Sequence, residues 1–150
     1  MSFEAAVESV EWMNVAFAEL EMSPHEILGS DNNSRIVEYL ASVTGEALPD
    51  EVAWCAAFIS FCLEQSGITP TKSLRARSYL HWGRKIEKPV FGCVTVLKRG
   101  KLEWQGHVGF YIGQTEDSVW LLGGNQKNKV SILGFCPDDV LGYVLPNINH

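Results

Sequence analysis

The sequence predicts an α+β domain, with helices in its first half packed on a small antiparallel sheet of about five strands in its second. Two observations carry this. Apolar residues recur at three- and four-residue spacing as far as Trp82, and after Pro89 the period drops to two. Helices followed by a run of hairpin-connected strands, without alternation of the two, is the pattern of an antiparallel α+β domain. A chain of 150 residues suits one domain spanning 1–150. No internal repeat and no linker divides it.

The first helix is read from Phe3, Val7, Val10, Met13 and Phe17, with Ala6, Ala16 and Leu20, while Glu4, Glu8, Glu11 and Glu19 take much of the other side. Ser23-Pro24 ends that pattern. A polar loop from Gly29 to Ser34 follows, and any of Asp31, Asn32, Asn33 or Ser34 is a suitable cap for a short amphipathic helix built on Ile36, Val37, Tyr39 and Leu40. A third helix is expected from Ala53 or Trp54 to Gly67, a suitable left-handed terminator. It is apolar nearly all round and therefore buried on most of its surface. Ser73 is read as capping a fourth helix through Trp82, closed by Gly83. The strands are expected around Val94–Leu97, His107–Ile112, Val119–Leu122, Val130–Leu133 and Val140–Leu145.

Composition removes several function classes. With 46% hydrophobic residues the chain is too apolar for intrinsic disorder. Twelve basic against eighteen acidic residues give a net charge of −6, which lacks the basic footprint of a nucleic-acid binder. No apolar run approaches the roughly eighteen residues of a membrane span. Met1-Ser2-Phe3-Glu4 has neither the basic region nor the apolar stretch of a signal peptide, so cytoplasmic synthesis, or export by a route reading no N-terminal signal, is expected. Among Cys55, Cys62, Cys93 and Cys136 there is no C-x-x-C pair, so zinc binding has little support. Cys55 and Cys62 lie about 10 Å apart along one helix, too far to bridge, and free thiols are expected.

Three features point to chemistry. Cys55 falls in the first turn of the buried helix, where unpaired N–H groups and the helix dipole favour a thiolate and suit an oxyanion. The alternative is a small core residue like the other three cysteines. His107 opens a strand after the polar approach Lys101–Gly106, on the same face as Gly109 and Tyr111, and the glycine is expected to leave room for a partner or substrate. A neutral imidazole there can take a proton from a thiol and later protonate a leaving amine. A structural histidine is the alternative, a description that His25, His81 and His150 fit better. Gly123-Gly124-Asn125-Gln126 then ends a strand and presents two amides, either of which can accept the other imidazole N–H and fix its tautomer. Two glycines before an amide are also an ordinary turn.

Trp54-Cys55-Ala56-Ala57-Phe58, Gly106-His107-Val108-Gly109-Phe110-Tyr111-Ile112-Gly113 and Gly123-Gly124-Asn125-Gln126 resemble the papain-like cell-wall hydrolases of the NlpC and CHAP type. More narrowly, they are similar to a small subgroup from bacteriophages and bacterial genomes. The resemblance runs from Asn32 through Ala76–Gly83 to Leu141-Gly142-Tyr143. It implies a papain-like fold, a cysteine-bearing helix on a histidine-bearing sheet, and cleavage of amide bonds in peptidoglycan as an endopeptidase or N-acetylmuramoyl-L-alanine amidase. Carried over by position, Cys55 is the nucleophile, His107 the general base and acid, and Asn125 the orienting residue, with Gln126 as runner-up.

Trp54, Trp104, Gln126 and Tyr111 are the candidate substrate contacts, Trp104 being the best placed for a groove. Two departures stand out: Phe91-Gly92-Cys93 replaces the usual Pro-Gly-Asp, and Trp54-Cys55-Ala56 replaces Asp-Cys-Ser. Many members also use a second histidine as third residue. Asp50 and Glu51 meet the helix dipole but oppose a lowered thiol pKa, and Asp31-Asn32-Asn33 is read as a turn and cap.

No metal and no cofactor is expected. Expected partners are a peptidoglycan peptide and, depending on context, an immunity protein or a phage particle or holin system, with action in the periplasm or cell wall after holin- or secretion-dependent release. Two other classes are open: a non-catalytic binding or particle-structural domain on the same fold, and a thiol acyltransferase or deamidase.

Overall fold

The computed structural model describes residues 10–22, 34–44, 54–99, 106–126 and 129–147. Among the described residues three helices, α1 (Glu11–Met22), α2 (Ser34–Thr44) and α3 (Cys55–Gln65), precede six strands: β1 (Arg84–Ile86), β2 (Val94–Lys98), β3 (Gly106–Gln114), β4 (Val119–Gly123), β5 (Ser131–Phe135) and β6 (Val140–Leu145). The strands form one sheet in the order β1-β6-β2-β3-β4-β5, with every neighbouring pair antiparallel. This is the α+β architecture that the change of period predicts.

Helix α3 is the centre of the core, buried at every position from Cys55 to Leu63. Gly67, at φ +80°, takes the left-handed conformation expected of its terminator. Its Phe58 ring meets Phe110 of β3 edge-on, and Tyr39 of α2 packs against Trp54, Phe58 and Phe61. Val94, Val96, Val108, Phe110 and Leu122 make the sheet's side of this core. Leu97, Val119 and Leu121 form a smaller cluster with Tyr111, Phe135 and Val140. Side chains alternate across a strand, so the two clusters occupy the two faces of the sheet, and only the first packs on the helices.

Two elements differ from the sequence reading. Residues Ala76–His81 form a 3₁₀ helix instead of a fourth α-helix. Its two buried side chains, Ala76 and Tyr79, stand three residues apart, and Trp82 packs edge-on against Tyr79. Three residues per turn brings such a spacing onto one line, which 3.6 does not. The sixth strand, β1, pairs three residues with β6 at the sheet edge and is too short and too exposed to show alternation.

Glycine fits the Phe91-Gly92-Cys93 turn for a local reason. Gly92 has φ +84°, and a Cβ there would stand 2.4 Å from Val10 Cγ1 and 2.9 Å from Met13 Cγ. Its carbonyl accepts a 2.7 Å hydrogen bond from Trp12 Nε1. The turn thus docks α1 on the start of β2.

Candidate active site

The site forms where β4 has yet to join β3. The β3–β4 ladder starts at Phe110 opposite Leu122, so the first residues of β3 lie beyond it. The chain leaving β4 turns back there through Gly124, Asn125 and Gln126. Gly124 sits against the start of α3, where a Cβ would come within 2.6 Å of the Trp54 ring and 2.7 Å of Phe58 Cβ. A Cβ on Gly123 would meet Gln126 Oε1 at 2.6 Å. The paired glycines are therefore more than a turn. They bring the cysteine-bearing helix, the start of β3 and the Gln126 amide together.

His107 is 3% exposed and pairs across the sheet with Leu97. Its Nε2 lies 3.0 Å from Gln126 Oε1. The Gln126 amide nitrogen donates to the carbonyls of Leu121 (3.1 Å) and Ser131 (2.9 Å), which fixes its oxygen toward the imidazole. A carbonyl oxygen can only accept, so Nε2 carries the proton and Nδ1 presents a lone pair. Nδ1 is buried and has no hydrogen-bond partner among the described residues. Burial lowers the imidazole pKa to about 4, the nearby Arg99 charge acts in the same direction, and the Gln126 bond opposes both. The Phe135 ring lies against the imidazole, centroids 5.1 Å apart.

Cys55 occupies the first position of α3 and is 4% exposed. Here the expectation of a helix-activated thiolate is corrected. Burial pushes the thiol pKa up, because a buried sulfur loses the water that would solvate its anion. The backbone N–H of Val108, the Arg99 charge and the N–H groups of Ala56 and Cys55 oppose that rise without cancelling it. Val108, the residue after His107, thus lies next to the thiol, but the imidazole itself does not contact it. His107 pairs with Leu97 and lies against Phe135, on the sheet face of the second cluster, and its Nδ1 has no partner among the described residues.

The other expected site residues separate. Asn125 adopts φ +58° and lines a cavity beside His107, while the amide bonded to the histidine is that of Gln126. Gln126 is 2% exposed with its side chain fully engaged internally, so it has no free group for substrate. Trp54 is completely buried and stacks on Tyr39, a core position and not a groove wall. Tyr111 lies edge-on to Tyr143, outside the cavity. The room expected beside Gly109 is filled by Leu121, whose Cβ would be 2.9 Å from an added Cβ. Trp104, Asp50, Glu51, His25, His150 and Asp31–Asn33 lie outside the described residues.

The cavity encloses about 350 Å³ and is lined by Leu97, Lys98, Arg99, Asn125, Leu133 and Phe135, together with His107, Gln126 and Asp139. Arg99 is the residue the sequence reading missed. It follows a strand in an ordinary Lys-Arg pair, and only the fold sets its charge near both the thiol and the imidazole. Among the described residues no group of three or more His, Cys, Asp or Glu side chains could hold a metal ion.

The fold is similar to a solved one. The chain superposes on the crystal structure of a wild-type endolysin, LysIME-EF1, with a TM-score of 0.52 at 15% identity, over 75% of this chain and 63% of that chain. It thus spans less than two thirds of that endolysin's length, and at this identity the likeness is one of fold. No family model matches the sequence, and no curated protein does.

Proposed function

We propose that this chain is a cell-wall hydrolase of the cysteine type, cleaving amide bonds of peptidoglycan peptides. The observation that carries the reading is the His107–Gln126 pair. An imidazole held through Nε2 by a clamped amide, with a buried and unpartnered Nδ1, is a base awaiting a proton. It stands next to Val108, whose backbone N–H lies near the Cys55 thiol and favours its anion, and the reading requires the imidazole and the thiol to meet when substrate binds. The endolysin-like fold supports the same reading.

A raised thiol pKa and a lowered imidazole pKa make the resting pair neutral. Attack then proceeds by general-base catalysis rather than from a preformed ion pair. The Sγ–H proton passes to Nδ1 as the S–C bond forms, and the carbonyl electrons move onto oxygen. The N–H groups at the start of α3 are the donors available to that oxyanion. Collapse breaks the C–N bond, and the amine leaves with the proton from Nδ1. Water then gives a proton to Nδ1 and attacks the thioester, and the thiol recovers the proton. Gln126, rather than Asn125, orients the imidazole throughout.

The burial of Cys55 favours a second reading, a non-catalytic binding domain on the same fold. Digestion of purified peptidoglycan by wild type and Cys55→Ala, with fragments identified by mass spectrometry, separates the two. Soluble peptide fragments from wild type alone are expected. Equal silence from both proteins, each folded by circular dichroism, would sink the hydrolase.

A further inference from the structure

The cavity beside His107 has a chemical character that the hydrolase reading does not use. Its polar lining at the mouth is Lys98, Arg99, Asn125 and Asp139. Lys98 is already paired with Asp139 at 3.9 Å. Arg99 is exposed and makes no ion pair among the described residues, and the Asn125 amide makes no hydrogen bond among them. Among the described residues the unpaired charge at this mouth is therefore cationic, on a chain whose net charge is −6. A chain of that sign repels anions at long range, so a local guanidinium beside the reacting groups marks a place where a negative group is to be held. Leu97, Leu133 and Phe135 supply apolar walls for the rest of the ligand.

We infer that Arg99, assisted by the Asn125 amide, binds a carboxylate of the substrate and so determines specificity for an acidic peptide. The guanidinium fork matches a carboxylate by two parallel hydrogen bonds, which a peptide amide cannot reproduce. The inference rests on the hydrolase reading for the substrate class. In a wall peptide the carboxylate is either the α-carboxyl of a γ-linked D-glutamyl residue or the C-terminal carboxyl.

Three synthetic tripeptides distinguish these sources: L-alanyl-γ-D-glutamyl-L-lysine amide, L-alanyl-D-isoglutaminyl-L-lysine with a free C-terminus, and the isoglutaminyl peptide with a C-terminal amide. Binding is measured by calorimetry on Cys55→Ala, with and without Arg99→Gln, and turnover on wild type. One acid-bearing peptide is expected to bind about tenfold more tightly than the doubly blocked one, as befits a hydrogen-bonded charge pair at a partly solvated site. Arg99→Gln erases that preference without altering the blocked peptide's affinity, and Arg99→Lys keeps part of it. Equal binding of all three peptides, a preference that survives Arg99→Gln, or no binding of any of them overturns the inference. An Arg99-dependent preference with no turnover of these peptides or of peptidoglycan sinks the hydrolase and leaves the carboxylate site standing. Turnover without preference does the reverse.

Discussion

Two of the buried polar clusters among the described residues are built in opposite ways. In the first, the Glu19 carboxylate on α1 accepts Arg35 Nε and Nη2 from α2, each at 2.6 Å, and the Tyr39 hydroxyl as well. Arg35 also reaches Glu38 at 2.7 Å and lies over the Phe61 ring. Charge meets charge, both carboxylate oxygens have donors, and the cluster ties two helices together. In the second, His107 is neutral, is held at one nitrogen by Gln126, and keeps the other buried without a partner. A native fold leaves few buried polar atoms unsatisfied. The closed cluster is therefore a structural device, and the open one retains capacity for a proton that a substrate reaction can use.

Substitutions in the two clusters should fail differently. The largest effect is expected from Cys55→Ala and His107→Ala, each lowering release of soluble peptidoglycan fragments at least about a thousandfold, with circular dichroism unchanged. Retained activity in either would erase the distinction between the clusters.

Next comes Arg35→Ala, which leaves Glu19 buried beside only a tyrosine hydroxyl. Glu19 is buried but the Arg35 side chain is 36% exposed, so breaking the pair from one side costs less than in a dry interior, about 2 kcal/mol. Urea unfolding should show a loss of that order, while turnover per folded molecule stays at the wild-type level. Lost turnover with unchanged stability would reverse the assignment.

Gln126→Ala should affect both properties. It strips the imidazole of its clamp and leaves the Leu121 and Ser131 carbonyls without their donor, at about 2 kcal/mol of stability. Activity should fall about ten- to a hundredfold. Asn125→Gly, which suits the φ of +58° and removes the side chain on the cavity, should leave stability nearly unchanged, and equal effects of the two would blur the orienting role.

Acid provides the most graded contrast. Folding lowers the His107 pKa from its ordinary 6.5 to about 4, so between those values the unfolded chain binds a proton that the folded chain does not. Stability from this group is complete above pH 6.5 and is lost as the pH falls toward 4, by about 3 kcal/mol at most. Thermal unfolding of wild type should therefore weaken more steeply across that window than that of His107→Gln. Parallel curves would mean that the imidazole is solvated.

Much of the fold was legible because it depends on periodicity. The apolar run from Trp54 to Leu63 could only be a buried helix, and the alternation from His107 to Ile112 could only be a strand with two different faces. The short edge strand at Arg84–Ile86 and the 3₁₀ turn at Ala76–His81 were not legible. Three exposed residues carry no period, and a single turn is set by what it packs against. Of the site, the cysteine, the histidine and the amide pair were visible as residue types at suggestive places. Which amide serves the histidine was not, since Asn125 and Gln126 are neighbours of nearly the same chemistry. The φ of +58° at Asn125 and the carbonyls of Leu121 and Ser131 make the choice.

Residue order alone therefore dictated the α+β class, the buried helix with its first-turn cysteine, the histidine strand and the glycine turn, because each is a local pattern of size, polarity and backbone freedom. Tertiary structure alone decided the protonation of the pair, the tautomer of His107, the burial of Trp54 and the placing of Arg99. Those depend on how much water and which charges surround a group. These are properties of neighbours brought in from distant parts of the chain.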